Sequence, residues 1–291
     1  MKFPFRKTLI LTAATLMLAG CATETSPSAS ARVDTVALQT ILDNQPDDTK
    51  ARFQFRNPNQ TLEFFGIAPG MTVAEALPGS GWYSKILIPY LGSEGELIGV
   101  DYAMEMWSEF SFATPEFIES KASWPEEWTA EASEWVEGGA PVSATTFSGE
   151  GSPSGEVDAI LFIRALHNFN RFEAEGKYMT KAVALAHDML KPNGIVGVVQ
   201  HRAPESASDE WANGSKGYLK QSRVIALFEA AGFEFVASSE INANPKDTPG
   251  EDDIVWRLPP SLSGARDNEV LKAERMAIGE SDRMTLKFRK L

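Results

Sequence analysis

The chain predicts an α/β fold: a Rossmann-like, doubly wound and mainly parallel sheet with helices on both faces. Three observations carry that expectation. From residue 61 onward, apolar runs of strand length alternate with segments of helical period. One run, Val157–Ile163 (VDAILFI), is apolar at nearly every position, as a central strand covered on both faces requires. Residues 284–289 (MTLKFR) alternate in polarity and suit a final strand, expected to be antiparallel.

The first residues speak to export. Lys2, Arg6 and Lys7 precede a short apolar run, 9–18, which leads to Leu18-Ala19-Gly20-Cys21. A basic start, an apolar stretch far short of the roughly 20 residues that span a bilayer, and small residues before a cut site read as a secretory signal over 1–20. With a cysteine at the cut, the segment resembles a bacterial lipoprotein signal. That resemblance implies that Cys21 is the lipidated first residue of the mature chain. Cys21 is the only cysteine, so no internal disulfide can form. Acyl chains contribute about 0.8 kcal/mol per buried methylene and anchor a protein without spanning the membrane. Ala22 lacks the aspartate that commonly retains such lipoproteins at the inner membrane, which implies the periplasmic face of the outer membrane. Residues 22–31 (ATETSPSASA) are small and polar, the composition of a flexible tether.

Without residues 1–20 the chain keeps 24 basic against 40 acidic groups, a balance of −16. Such a surface repels phosphate backbones and lacks the basic stripe of a nucleic-acid binder. It also gives no electrostatic hold on anionic lipid, so the expected membrane contact is through the lipid anchor only. Residues 32–291 are expected to form a single domain, with an N-terminal helical extension ahead of the sheet.

Taken in order, residues 32–45 place Val33, Val36, Ala37, Leu38, Ile41 and Leu42 at helical spacing before Pro46. Residues 62–65 lead to the turn Ala68-Pro69-Gly70, and 71–77 (MTVAEAL) form a strand. Pro78-Gly79-Ser80-Gly81 is a loop, 82–91 a helix, and Glu96–Asp101 (ELIGVD) the second strand. Near 103–140 lies a Trp-rich helical insert holding Trp107, Trp124, Trp128 and Trp135, broken at Pro115 and Pro125. A third strand at 142–147 and a Gly/Ser/Pro loop at 148–155 precede Val157–Ile163. Then come a helix at 177–190 stopped by Lys191-Pro192-Asn193-Gly194, a strand at 195–200, a helix at 220–231 capped by Gly232, and the strand Phe233–Ser239. Nothing repeats at a fixed period, which argues against a solenoid.

In a doubly wound sheet, ligands sit at the carboxyl ends of the strands where strand order reverses. The first strand ends in Glu75-Ala76-Leu77-Pro78-Gly79-Ser80-Gly81. Gly79 and Gly81, just before a helix, let backbone approach a ligand, and free N–H groups at the helix start point toward it. Asp101 follows Gly81 by 20 residues, where a carboxylate can accept hydrogen bonds from both ribose hydroxyls. Together they signal a nucleoside site; a ligand-free tight turn and a solvated strand-end acid are the competing readings. The dinucleotide fingerprint wants a third glycine where Ser84 stands. Glu75 suits a ligand with a cationic amino-acid tail, since a buried unpaired carboxylate is costly; the alternative is that it caps nearby backbone N–H groups.

The stretches RNPNQTLEFFGIAPGMTVAEALPGSGWYSKILIPYLG, VDAILFIRALHNF and DRMTLKFRK resemble a group of bacterial methyltransferases, often exported, within the class I S-adenosylmethionine (SAM) dependent superfamily. The resemblance covers most of residues 45–291, and the Pro-Gly-x-Gly-Trp-Tyr loop is its most specific part. It implies SAM as cofactor. Glu75, Pro78, Gly79, Ser80 and Gly81 would wrap its methionine part and Asp101 would bind the ribose. Tyr102 would pack on the nucleoside, with Phe147 as a wall for the adenine. The sequence departs from the superfamily pattern at its first glycine, where Leu77 stands, and by adding Pro78.

The resemblance also places acceptor-side residues after Val157–Ile163, in Arg164-Ala165-Leu166-His167-Asn168-Phe169. Methyl transfer is an in-line displacement, so positioning supplies much of the rate, and a base is needed only if the acceptor keeps its proton. His167 would be that base, Asn168 would orient the acceptor, and Arg164 would pair with an acidic one. The competing readings are a structural histidine and a structural salt bridge. His187, inside a helical stretch, reads as packed or solvated, and His201, beside Arg202, is a second-rank candidate. Three scattered histidines with no acid at ligand spacing do not make a metal site, and no Gly-x-Ser-x-Gly elbow appears. The function expected is SAM-dependent methyl transfer to a small-molecule acceptor by an envelope lipoprotein. Two alternatives stay open: a ligand-binding or structural lipoprotein that keeps the scaffold without the chemistry, and an enzyme acting on another nucleoside-like molecule. Export bears on the choice, because SAM is made in the cytosol.

Overall fold

Among the described residues eight strands form the sheet: β1 (Thr72–Ala76), β2 (Glu96–Asp101), β3 (Val142–Thr146), β4 (Val157–Ile163), β5 (Leu190–Ala203), β6 (Leu219–Lys220), β7 (Phe233–Ser239) and β8 (Arg283–Lys290). Their order is β3-β2-β1-β4-β5-β8-β7, with β6 paired to β5. Strands β1 to β5 run parallel, and β8 lies antiparallel between β5 and β7. This is the expected doubly wound architecture with its antiparallel last strand. The chain winds outward from β1 through β2 to β3, then returns on the other side of β1 as β4. The switch of strand order therefore falls between β1 and β4.

The computed structural model describes residues 1–2 and 32–291. The secretory signal, Cys21 and the tether lie outside the described residues. Ala31–Leu291 make one compact unit, and among the described residues no helix is long and apolar enough to cross a membrane.

Strand alternation divides the core into two layers. Ala74, Ala76, Ile160 and Phe162 face one way, under the helix Tyr178–Met189, which buries Met179, Ala182, Val183 and Ala186 at helical spacing. Val73, Leu97, Ala159 and Leu161 face the other way, toward the helix Ser84–Leu91 and, beyond it, Thr35–Asp43 with Leu38 and Leu42. Pro89 inside Ser84–Leu91 has no N–H to give Lys85, four residues back. The Nε2 of Gln45 reaches that carbonyl at 3.4 Å and ties the N-terminal extension to the sheet helix.

The helical insert is interrupted at both prolines, which sit in the first turns of new helices, Pro115–Ser120 and Trp124–Ser133, where a missing N–H costs nothing. Residues 191–194, expected as the stop of the preceding helix, do follow its end at Met189 and also bulge from β5, because Leu190 pairs with Val157 and Ile195 with Ala159. The segment after β4, to which the sequence assigns no element, forms the helix Leu166–Arg171.

Candidate active site

The crevice starts from two backbone residues. Leu77 and Arg164 are the first residues past β1 and β4, and both are left-handed, with φ of 54° and 61°. The N–H of Leu77 donates to Val100 on β2 at 2.8 Å, while that of Arg164 donates to Val199 on β5 at 2.6 Å. The two chains thus part at the switch point. A cavity of about 290 Å³ opens there, with Leu77, Arg164, His167, Asn168 and His201 among its walls and Trp256 in its roof. The roof is pinned by the pair Arg257–Asp247 at 2.8 Å; Asp247 also accepts from Tyr218 at 3.1 Å and from the N–H of Asp282 at 3.0 Å.

The glycine loop lies beside this opening. Leu77 turns left-handed at the end of β1, and Gly79 and Gly81 are also left-handed at φ 56° and 77°. A Cβ on Gly81 would overlap the Trp135 ring, so glycine is needed there for space as well as for φ. Pro78 is buried and Ser80 exposed. Glu75, one residue before the end of β1, is 3% exposed, and Ser84 donates to its Oε2 at 2.6 Å. Burial lifts its pKa to about 7, against the opposing pull of the Ser84 hydroxyl and the Arg164 and Arg56 guanidiniums.

On the β2 side, Asp101 accepts the N–H of Tyr102 at 2.9 Å and lies 3.9 Å from the Lys121 ammonium. Burial pushes its pKa to about 6. The Tyr102 ring packs edge-on against Trp107 and Phe169, with centroids 4.8 and 5.3 Å away, and Phe147 meets Phe169 at 4.9 Å. Asp101, Tyr102 and Phe147 are only 7, 6 and 7% exposed. Asn168 joins the two regions: it borders the cavity and its Nδ2 donates to the Tyr102 hydroxyl at 2.7 Å.

Below the cavity are two neutral imidazoles. The Nε2 of Gln200 donates to the Gly217 carbonyl at 2.9 Å, which turns its Oε1 toward His167 Nδ1 at 3.4 Å. Nδ1 therefore carries the proton and Nε2 keeps its lone pair. Burial lowers the pKa of His167 to about 4, with Arg164 and Arg171 adding to the effect. His201, its ring 5.4 Å from that of His167, has Nδ1 2.6 Å from the Ser281 hydroxyl; burial holds it well below its usual value. His187 stands apart, against Phe233.

Four guanidiniums surround this end of the sheet, of which the sequence pattern singles out only Arg164. Glu280 binds Arg52 through both Nε and Nη2, Arg283 at 3.2 Å and Arg56 at 3.6 Å. Among the described residues no carboxylate comes within 4.0 Å of Arg164, and its Nε has no hydrogen-bond partner. Burial lowers its pKa to about 10, which leaves it charged at neutral pH. Arg56, Glu280, Ser281 and Arg283 come from distant parts of the chain, so no spacing announced them. The available signal was that each of the three stretches carrying the methyltransferase resemblance holds an arginine of the cluster, Arg56, Arg164 and Arg283, although the third stretch also holds Arg289.

No family model matches the chain, and no curated protein does. Among solved structures it is similar to a SAM dependent methyltransferase from Aquifex aeolicus, with 17% identity over 72% of this chain and 94% of that one, at a TM-score of 0.45. A putative sarcosine dimethylglycine methyltransferase from Galdieria sulphuraria shares 12% identity over 86% and 89%, at 0.48. The cyclase SpnF shares 15% identity over 81% and 80%, also at 0.48. The doubly wound fold itself is established by the strand order and register of this chain.

Proposed function

We propose that this protein transfers a methyl group from SAM to a small-molecule acceptor. The observation that carries the reading is the bridge made by Asn168. It borders the cavity between β1 and β4 and its Nδ2 donates to the hydroxyl of Tyr102, the residue after Asp101, which links the proposed acceptor side to the proposed nucleoside side.

The residues suit such a cofactor chemically. Glu75, buried and poised near neutrality, gains from a cationic amine placed beside it. The Gly79–Gly81 loop brings backbone to the ligand, and the Asp101 carboxylate suits a ribose diol. SAM supplies an activated methyl on a sulfonium centre. The protein's part is to orient the acceptor through Asn168 and Arg164 and to keep water out with the roof around Trp256. His167, unprotonated at Nε2, takes any proton the acceptor releases. This reading keeps the envelope placement proposed from Cys21, with the lipid as the membrane contact.

A second reading is favoured by the near closure of Asp101, Tyr102 and Phe147. It is a ligand-binding lipoprotein that keeps the scaffold without the transfer chemistry. Calorimetric titration of SAM and S-adenosylhomocysteine into the full chain, beside its Asp101→Ala variant, separates the two. Micromolar binding that the variant loses supports the methyltransferase. No heat from either ligand, in folded protein, sinks it in favour of the second reading.

A further inference from the structure

The charges at the switch point do not close among themselves. Glu280 shares its carboxylate between Arg52, Arg56 and Arg283. Glu75, the other acid nearby, is donated to by Ser84. Arg164 brings a further positive charge to a wall of the cavity, with no carboxylate within 4.0 Å among the described residues. Its Nε lacks a hydrogen-bond partner, and Arg56, a residue only 2% exposed, has none at Nη1 and meets Glu280 through Nε only at 3.6 Å. Unpaired buried charge is expensive, and a fold keeps it where something else completes it.

The backbone shows that the chain is built to hold this arginine in place. Arg164 has a left-handed φ that an L residue with a long side chain adopts at a cost, and its N–H is fixed to Val199. The rest of the lining is mixed: Leu77, Val255, Trp256, Leu258 and Pro259 form an apolar wall, while Asn168, Ser261, Ser281 and the Glu280 carboxylate bring polar groups. Glu280 is already shared by three arginines, and His167 and His201, the other basic groups there, are neutral. A ligand that meets both the uncompensated Arg164 guanidinium and the apolar wall has one anionic end and an apolar part. A planar carboxylate matches a single guanidinium through two parallel hydrogen bonds, and one guanidinium only half-neutralises a phosphate dianion.

We propose that the cavity between Leu77 and Arg164 binds a small organic acid, an apolar ring or short chain whose carboxylate pairs with the Arg164 guanidinium. This rests on the methyltransferase reading and names its acceptor class. About 290 Å³ suits one ring or a short chain.

Titration of benzoate, benzamide and inorganic phosphate into the full chain, with and without saturating S-adenosylhomocysteine, tests it. Benzoate should bind at least about tenfold more tightly than its neutral isostere benzamide, the expected worth of a charge-assisted pair. That comparison on the parent chain needs no variant. Arg164→Gln should erase the difference, Arg164→Lys should restore part of it, and S-adenosylhomocysteine should bind both variants as it binds the parent. Equal binding of benzoate and benzamide, or binding of neither, overturns the proposal, and so does phosphate binding more tightly than benzoate. Loss of S-adenosylhomocysteine in Arg164→Gln with benzoate preference intact gives Arg164 to the cofactor's own carboxylate and also overturns it. Benzoate preference in a chain that never binds S-adenosylhomocysteine supports the acid site while the methyltransferase reading fails.

Discussion

Leu77 and Arg164 leave neighbouring strands with the same left-handed backbone and bond in opposite directions, one to Val100 and the other to Val199. The crevice is the space between these two departures. It exists because two side-chain-bearing residues accept a conformation that glycine takes freely. A β-branched residue tolerates it least. Leu77→Val is therefore expected to lower stability by about 2 kcal/mol, whereas Leu77→Gly stays within about 1 kcal/mol of the parent, trading relief of strain for lost packing. Urea unfolding of the two variants decides this, and equal losses would refute it.

Glu75 ties stability to pH. Burial raises its pKa from 4.5 to about 7, so between those values the folded chain holds a proton that the unfolded chain releases. Its stabilising contribution is complete below pH 4.5 and is lost as pH rises through 7, on the order of 3 kcal/mol across the window. Glu75→Gln removes the titration. The variant should gain on the parent between pH 5 and pH 8 in urea unfolding, and a constant gap would show that Glu75 titrates normally.

His167 has the opposite sign. Its pKa falls from 6.5 to about 4, so the unfolded chain binds the proton first as acid is added. The stability it contributes is present above pH 6.5 and is lost as pH falls toward 4, again on the order of 3 kcal/mol. His167→Gln should make acid unfolding shallower over that range. An unchanged acid limb would mean that the imidazole is not held neutral.

Gly81 and Trp135 form a testable pair. Gly81→Ala meets both a positive φ and the indole ring, and should cost about 2 kcal/mol or more. In a Trp135→Ala background only the backbone part remains, about 1 kcal/mol. A double-mutant cycle reads the coupling, and strict additivity would place the ring elsewhere.

Much of the sheet was legible in the sequence. Strands β2, β4 and β7 run over the residues expected, because each is a short apolar or alternating run between turn signals. The helix Leu166–Arg171 was not legible because six residues are too few to show a period. The loop and Asp101 were legible as spacing. The charge cluster was not: Arg52 lies 228 positions from Glu280, and no local pattern brings such residues together. Nor could composition show that Arg164 would be left without a carboxylate.

The place of β8 in the sheet sets an order of assembly. Residues 280–290 supply both the strand between β5 and β7 and the carboxylate that Arg52, Arg56 and Arg283 share. A nascent chain that has not yet delivered them has an open edge on β5 and uncompensated arginines at its centre. Ligand competence therefore waits for residues 280–290 and the closing of that edge. A polypeptide interrupted before residue 280 would present a sticky sheet margin to its surroundings in place of a finished crevice.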